Sequence, residues 1–208
     1  GSGSATEGRF CEPWDIDPVR FAAELWPGVT FYRKQLEVIY SVEQTAETYV
    51  TAGNKLGKDF VAGFICLSLF LRSLRAGRTC RIVTTSVAEH HLKVLWAEIA
   101  RFASTSGPPL LAEDGGPLGL YHLEIRRASE ALVKNPMSYL VGRVSQRGEG
   151  LAGHHADVTL FVADEASGID DVAYQMAQGW AKRMLIFGNP NNTDNFFRKG
   201  IEAGDLAA

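Results

Sequence analysis

Short apolar runs alternate with stretches of helical periodicity along most of the chain, and this alternation limits the fold more than any other feature. TYVTAG (48–53) reads as a strand entering a glycine-bearing loop, and residues 58–75 read as a helix ended by Gly77. CRIVTTS (80–86) is rich in β-branched residues, and residues 87–102 place Leu92, Leu95, Trp96 and Ile99 on one helical face. VTLFVADEA (158–166) precedes a helix over 169–180, and RMLIFGN (183–189) precedes one over 192–202. LYHLEI (120–125) and SYLVGRV (138–144) read as two more strands after a loop-rich stretch at 107–119. Continuous apolar strands separated by helices imply a parallel sheet buried on both faces. Ahead of it, PVRFAAELW and FYRKQLEVIYSVEQ form a helical lead-in, with Phe31, Leu36, Val38 and Ile39 at helical spacing.

The chain's 208 residues suffice for one well-buried α/β domain. The most apolar run, FVAGFICLSLFL (60–71), is shorter than a bilayer span and reads as a buried helix, so no membrane association is expected. Cys11, Cys66 and Cys80 are widely spaced and odd in number, which fits a reducing compartment and no disulfide framework. A net charge of −3 argues against a surface given over to gripping phosphate backbones, while allowing a local basic patch. The opening GSGS (1–4) reads as a linker remnant, residues 5–47 as the lead-in, and 48–208 as the core domain.

Three short segments could carry chemistry. The first is AGNKLGK, Ala52 to Lys58, between a strand and a helix. Backbone N–H groups at a helix N-terminus form an anion site, Gly53 and Gly57 allow a tight turn, and Lys58 adds a point charge. It departs from the G-x-x-x-x-G-K-[ST] pattern at Ala52 and at Asp59, where a hydroxyl usually follows the lysine. An ordinary strand-to-helix turn with a solvated lysine explains this fragment equally well. The second is Asp164-Glu165, two adjacent acids closing a buried strand, a costly placement unless something pairs with them. In nucleotide hydrolases the first such acid orders Mg²⁺ and the next acts on the attacking water. Alone, an N-cap and first-turn acid pair is the simpler explanation. The third is IFGNP (186–190), which sets Gly188 and Asn189 at the next strand's end, where an amide could sense a γ-phosphate; an Asn-Pro turn is again the plainer alternative. The three occur in order at predicted C-terminal strand ends, the edge where open parallel sheets bind ligands.

Over roughly residues 28–200 the sequence resembles the N-terminal ATPase domain of phage large terminase subunits, the motors that package DNA. Carrying the resemblance are Ala52-Gly53-Asn54-Lys55-Leu56-Gly57-Lys58, Val162-Ala163-Asp164-Glu165-Ala166 and Gly188-Asn189-Pro190. FYRKQ (31–35), VTTSVAEHHLKVLWAEI and GEGLAGHHADVTLFVADEA are also similar. The resemblance implies an α/β P-loop NTPase fold of the ASCE type, a three-layer sandwich around a central, mostly parallel sheet. It implies an ATPase with Mg²⁺ and ATP bound at residues 52–59, Lys58 on the phosphates, Asp164 and Asp59 on Mg²⁺, and Glu165 activating water. Asn189 would couple the γ-phosphate state to movement, and Gln35 would read adenine. Implied partners are double-stranded DNA, a portal protein, a small terminase subunit and further copies in a ring, in the host-cell cytoplasm; in isolation a monomer is expected. The family's following nuclease domain does not fit in the residues after Asn189, so DNA cleavage is not expected.

The family accommodates alanine at the first loop position and often carries a basic residue where Lys55 stands, so Ala52 is no defect. Asp59 is a departure: a carboxylate can bind a hard cation but brings negative charge toward the phosphates. The lead-in to the acidic motif usually carries arginines, one a candidate arginine finger; here it has Ala152, His154 and His155. Histidine, with a reference pKa near 6.5, is a poor permanent cation. Arg143 and Arg147 are the nearest substitutes, and solvated strand-end arginines explain them equally. Neither His90-His91 nor His154-His155 has metal-ligand spacing. Two other readings stay open: a helicase-type translocase, and a nucleotide-binding assembly module without turnover.

Overall fold

The computed structural model describes residues 16–51, 56–144, 150–189 and 196–203. Among the described residues, seven strands form one sheet: β1 (Glu47–Thr51), β2 (Cys80–Ser86), β3 (Leu118–Tyr121), β4 (Glu124–Arg127), β5 (Tyr139–Val144), β6 (Val158–Ala163) and β7 (Arg183–Gly188). Their order is β1-β7-β6-β2-β5-β4-β3. The first five in that order run parallel, and β4 and β3 extend the sheet as an antiparallel hairpin. β7 therefore separates β1, the strand that leads toward Gly57 and Lys58, from the strand carrying the acids.

Side chains alternate across this sheet. On one face Val50, Ile82, Leu140, Leu160, Val162, Leu185 and Phe187 pack under α1 (Pro18–Leu25), α2 (Arg33–Gln44), α3 (Lys58–Arg75) and α4 (Glu89–Thr105). On the other, Tyr49, Val83, Val141, Phe161, Ala163 and Ile186 meet α5 (Asp171–Gln178), α6 (Phe196–Glu202) and Leu151. The result is the expected three-layer α/β sandwich. Trp96, Trp180, Phe187 and Phe197 are all buried.

Local chemistry explains the elements that set up the site. Asp17 caps α1 by accepting from the Val19 and Arg20 amides, and Pro18 occupies the first helical position, where no N–H partner is needed. α3 is apolar nearly all round because it lies between the sheet and α1, α2 and α4. A side chain at Gly63 would lie 3.1 Å from Glu98 Cβ, so this glycine lets α3 and α4 approach closely. The Glu43 carboxylate fixes α2, pairing with the buried Arg72 of α3 and with Arg183 of β7 at 3.4 Å.

One element differs from the sequence reading. LYHLEI is not a single strand but the turn of a hairpin, with β3 ending at Tyr121 and β4 starting at Glu124. His122 supplies the turn with a left-handed backbone, φ 49°. No Gly, Asn or Asp marks that reversal, so apolar alternation concealed it.

Candidate functional site

The site is assembled at the C-terminal edge of the parallel strands. Gly57 precedes α3 with φ 66° and ψ 49°, a left-handed conformation that glycine adopts without steric cost. This backbone reversal aims Lys58 across the ends of β7 and β6. Its Nζ donates to Asp164 Oδ1 at 2.9 Å and to Glu165 Oε1 at 2.6 Å. Asp164 is only 5% exposed and follows β6, its N–H donating to the Thr85 carbonyl of β2 at 2.9 Å. Its Oδ1 also accepts from the Glu165 amide at 3.0 Å.

Glu165 is left-handed with φ 53° and opens a short 3₁₀ turn at Ala166–Gly168. Few non-glycine residues take this conformation, and those that do tend to occupy sites where the surrounding structure holds them. Two adjacent carboxylates thus reach the same ammonium, satisfying the burial cost that the sequence raised.

The electrostatics follow from three carboxylates around one cation. Burial alone would lower the Lys58 pKa, but hydrogen bonds to Glu165 and Asp164 outweigh it and raise it. The hydrogen bond from Lys58 holds Glu165 below its ordinary value despite partial burial. Asp59 goes the other way: burial and the charge of Asp164 raise its pKa, with Lys58 opposing. The cluster carries a surplus of negative charge, and the surplus is felt at Asp59.

Hard oxygen donors with surplus negative charge suit Mg²⁺. No group of three or more His, Cys, Asp or Glu among the described residues is arranged to hold a metal by itself. Mg²⁺ commonly takes one or two carboxylates and completes its shell with phosphate oxygens and water. Asp164 and Asp59 match that partial role.

Gln35 is placed differently from a free reader of adenine. It is 4% exposed, and both ends of its amide are engaged. Nε2 donates to the Leu56 carbonyl, just ahead of α3, at 2.9 Å, and Oε1 accepts from the Tyr32 amide at 3.0 Å. Gln35 thereby joins the start of α2 to the loop. A side chain on Gly57 would lie 3.1 Å from this same Nε2. The sequence reading missed the Leu56 carbonyl as a partner, because only the fold brings residues 35 and 56 together.

Asn189 is exposed and follows Gly188, which is paired with Thr51, the last residue of β1. Arg143 lies on β5 opposite Thr85, one strand beyond β2 from the acids, and does not join the Lys58 cluster. His154 is tied down: Nε2 meets the Gly150 carbonyl at 2.8 Å and Nδ1 meets the Tyr139 hydroxyl. Burial, which the Gly150 carbonyl only partly offsets, and the charges of Arg143 and Arg81 lower its pKa, so it is a structural neutral imidazole. Ala52, Gly53, Asn54, Lys55, Arg147 and Pro190 lie outside the described residues.

No sequence-family profile matches the chain. A probable terminase large subunit of Enterobacteria phage P7 is 28% identical over 187 residues, covering 85% of this chain and 35% of that protein. The chain thus spans about a third of that relative's length. The large terminase ATPase domain of Thermus phage P74-26 aligns with a TM-score of 0.57 at 18% identity, over 83% of this chain and 69% of that one. The HK97 bacteriophage large terminase aligns with a TM-score of 0.57 at 11% identity, over 91% and 42%. The chain is similar in sequence to a phage large terminase subunit and has the P-loop fold of the terminase ATPase domains.

Proposed function

We propose that this chain is the ATP-hydrolysing motor domain of a DNA-packaging terminase. The observation that carries the proposal is the meeting of Lys58, Asp164 and Glu165 at the sheet edge that follows the phosphate loop. In the geometry described, Lys58 satisfies both acids. An incoming triphosphate competes for that ammonium, so nucleotide binding frees Asp164 and Glu165 for their own tasks. Residues 52–59 bind phosphate through backbone amides and Lys58. Asp164 and Asp59 would hold Mg²⁺, which would supply positive charge to offset that of the phosphate oxygens. Glu165, released from Lys58 and ionised at neutral pH, accepts a proton from the attacking water. Asn189, following Gly188 at the end of β7, senses the γ-phosphate. Arg147 serves as an arginine finger toward a neighbouring copy, with Arg143 as the alternative.

By this reading the partners are double-stranded DNA, a portal protein, a small terminase subunit and further copies in a ring, within the host cytoplasm. Among the described residues no helix is long and apolar enough to cross a membrane. One observation favours a second reading, an assembly module that binds nucleotide without turnover. Asp59 adds a third carboxylate to the cluster, where burial and then the charge of Asp164 raise its pKa. Phosphate release from ATP, measured at high protein concentration while Mg²⁺ is titrated, separates the two. Mg²⁺-dependent release that rises with DNA supports the motor; nucleotide binding with no release at any Mg²⁺ concentration supports the module.

A further inference from the structure

On the α5 face of the sheet, the strands away from α5 and α6 border a cleft of ≈ 360 Å³ with a strongly uneven charge. Arg81, Arg126, Lys134 and Arg143 line it, against the single carboxylate of Glu124. That is a local surplus of three positive charges in a chain whose net charge is −3, so overall basicity does not explain it.

The strand register fixes the layout. Arg81 pairs with Tyr139, and Thr85 with Arg143, so the arginines mark the two ends of a strip four residues long. At about 3.3 Å per residue this strip is about 13 Å long. Glu124 is opposite Val141 between them and is consumed by Arg126, whose Nη2 approaches it at 2.7 Å.

The other three cations make no ion pair among the described residues. Arg81 is oriented by the Met137 and Pro136 carbonyls, at 3.0 and 3.3 Å, and stacks over the Tyr139 ring. Arg143 donates to the Gly142 carbonyl at 3.0 Å. Carbonyls hold these guanidinium groups in place without neutralising them. The charges of Arg81 and Arg143 act together on His154 in the cleft wall, and each lowers its pKa.

The geometry points to this cleft as a binding surface for the phosphate backbone of duplex DNA. A strip about 13 Å long is too extended for one phosphate ion and spans about four phosphates of one strand at ~3.4 Å of helix axis each. Guanidinium forks suit phosphate oxygens, and no arrangement here selects a base, so binding is independent of sequence. The choice of DNA rests on the motor reading. Under that reading the cleft is well placed, since Arg143 is opposite Thr85, whose carbonyl receives the Asp164 amide. The rival occupant is an acidic protein segment, because Leu132, Val133 and Met137 are exposed beside Lys134.

The test is fluorescence anisotropy of a short labelled duplex across a salt series, comparing the unaltered chain with Lys134→Glu, Arg81→Gln and the double variant. Lys134 is exposed and makes no hydrogen bond or ion pair among the described residues, so its reversal leaves folding intact. The expected result is weaker binding to all duplex sequences alike. The log-log salt slope falls by about 0.9 for each phosphate that is no longer neutralised, hence by about 2 in the double variant. Three results overturn the proposal: no duplex binding by the unaltered chain at low salt; unchanged affinity and slope in all variants; or loss of poly-glutamate binding with duplex binding retained. Competition by tripolyphosphate as effective as by duplex, at equal charge, would also overturn it by marking a small-anion site. ATP turnover is measured in parallel. Intact turnover with unaltered DNA binding sinks this inference alone, whereas absent turnover with slope-sensitive DNA binding sinks the motor reading alone.

Discussion

Replacing Gln35 tests whether this residue holds the phosphate loop or serves only as a reader of the base. Its amide makes two neutral hydrogen bonds, to the Leu56 carbonyl and from the Tyr32 amide, while only 4% exposed. Such bonds contribute about 0.5–1.5 kcal/mol each. Gln35→Met keeps most of the volume and removes both, so the expected loss is about 2 kcal/mol. Gln35→Ala adds the loss of packing and should cost more. For a chain of this size each kcal/mol shifts Tm by about 2–4 °C, so Gln35→Met should melt roughly 4–8 °C lower. Gln35→Glu gives a sharper contrast: it can still accept from Tyr32, but it sets a carboxylate against the Leu56 carbonyl where a donor stood. It should be at least as destabilising as Gln35→Met. The assay is urea unfolding without nucleotide, followed by ATP and GTP affinities. A loss below about 0.5 kcal/mol for Gln35→Met, with base selectivity alone disturbed, would refute the loop-holding role.

Other outcomes follow from the same cluster. Gly57→Ala should cost about 1–2 kcal/mol from its left-handed backbone and disturb Gln35, read as a lower urea midpoint. Asp59→Asn should raise Tm of the nucleotide-free protein at pH 7, because a carboxyl whose pKa is raised on folding opposes the folded state once ionised. The gain should shrink as pH falls through the raised folded value of Asp59 and vanish below the ordinary Asp value, and the same variant should need more Mg²⁺ for turnover. Glu165 has the opposite sign: its lowered pKa contributes stability above the ordinary Glu value, and that stability is lost on acidification. Glu165→Gln should therefore remove part of the pH dependence of Tm below about pH 5, which thermal melts in a buffer series would reveal.

Much of this was legible in the sequence because local and tertiary signals agree. α3 spans Lys58–Arg75 as its apolar run and terminating Gly77 indicate, and β2, β6 and β7 lie where their apolar runs end. Asp164 and Glu165 could be chosen because acids at the end of a buried strand need partners, and Lys58 because it closes the AGNKLGK turn ahead of a helix. Their mutual pairing could not be read, since the residues are 106 and 107 positions apart and meet only once β7 and β6 lie side by side. Nor could the antiparallel edge: His122 turns without glycine, so its reversal left no mark in the composition. Gln35 was noticed for its motif, but its engagement with Leu56 depends on how α2 is held by Glu43. The basic cleft was invisible because Arg81, Arg126 and Arg143 belong to three strands joined only by register.

The most direct test of the motor reading measures ATP binding and single-turnover hydrolysis for Lys58→Ala and Glu165→Gln beside the unaltered chain. The account predicts that Lys58→Ala loses nucleotide binding, whereas Glu165→Gln binds ATP with Mg²⁺ and does not cleave it. Equal turnover in Glu165→Gln and the unaltered chain, or full ATP affinity in Lys58→Ala, would contradict it.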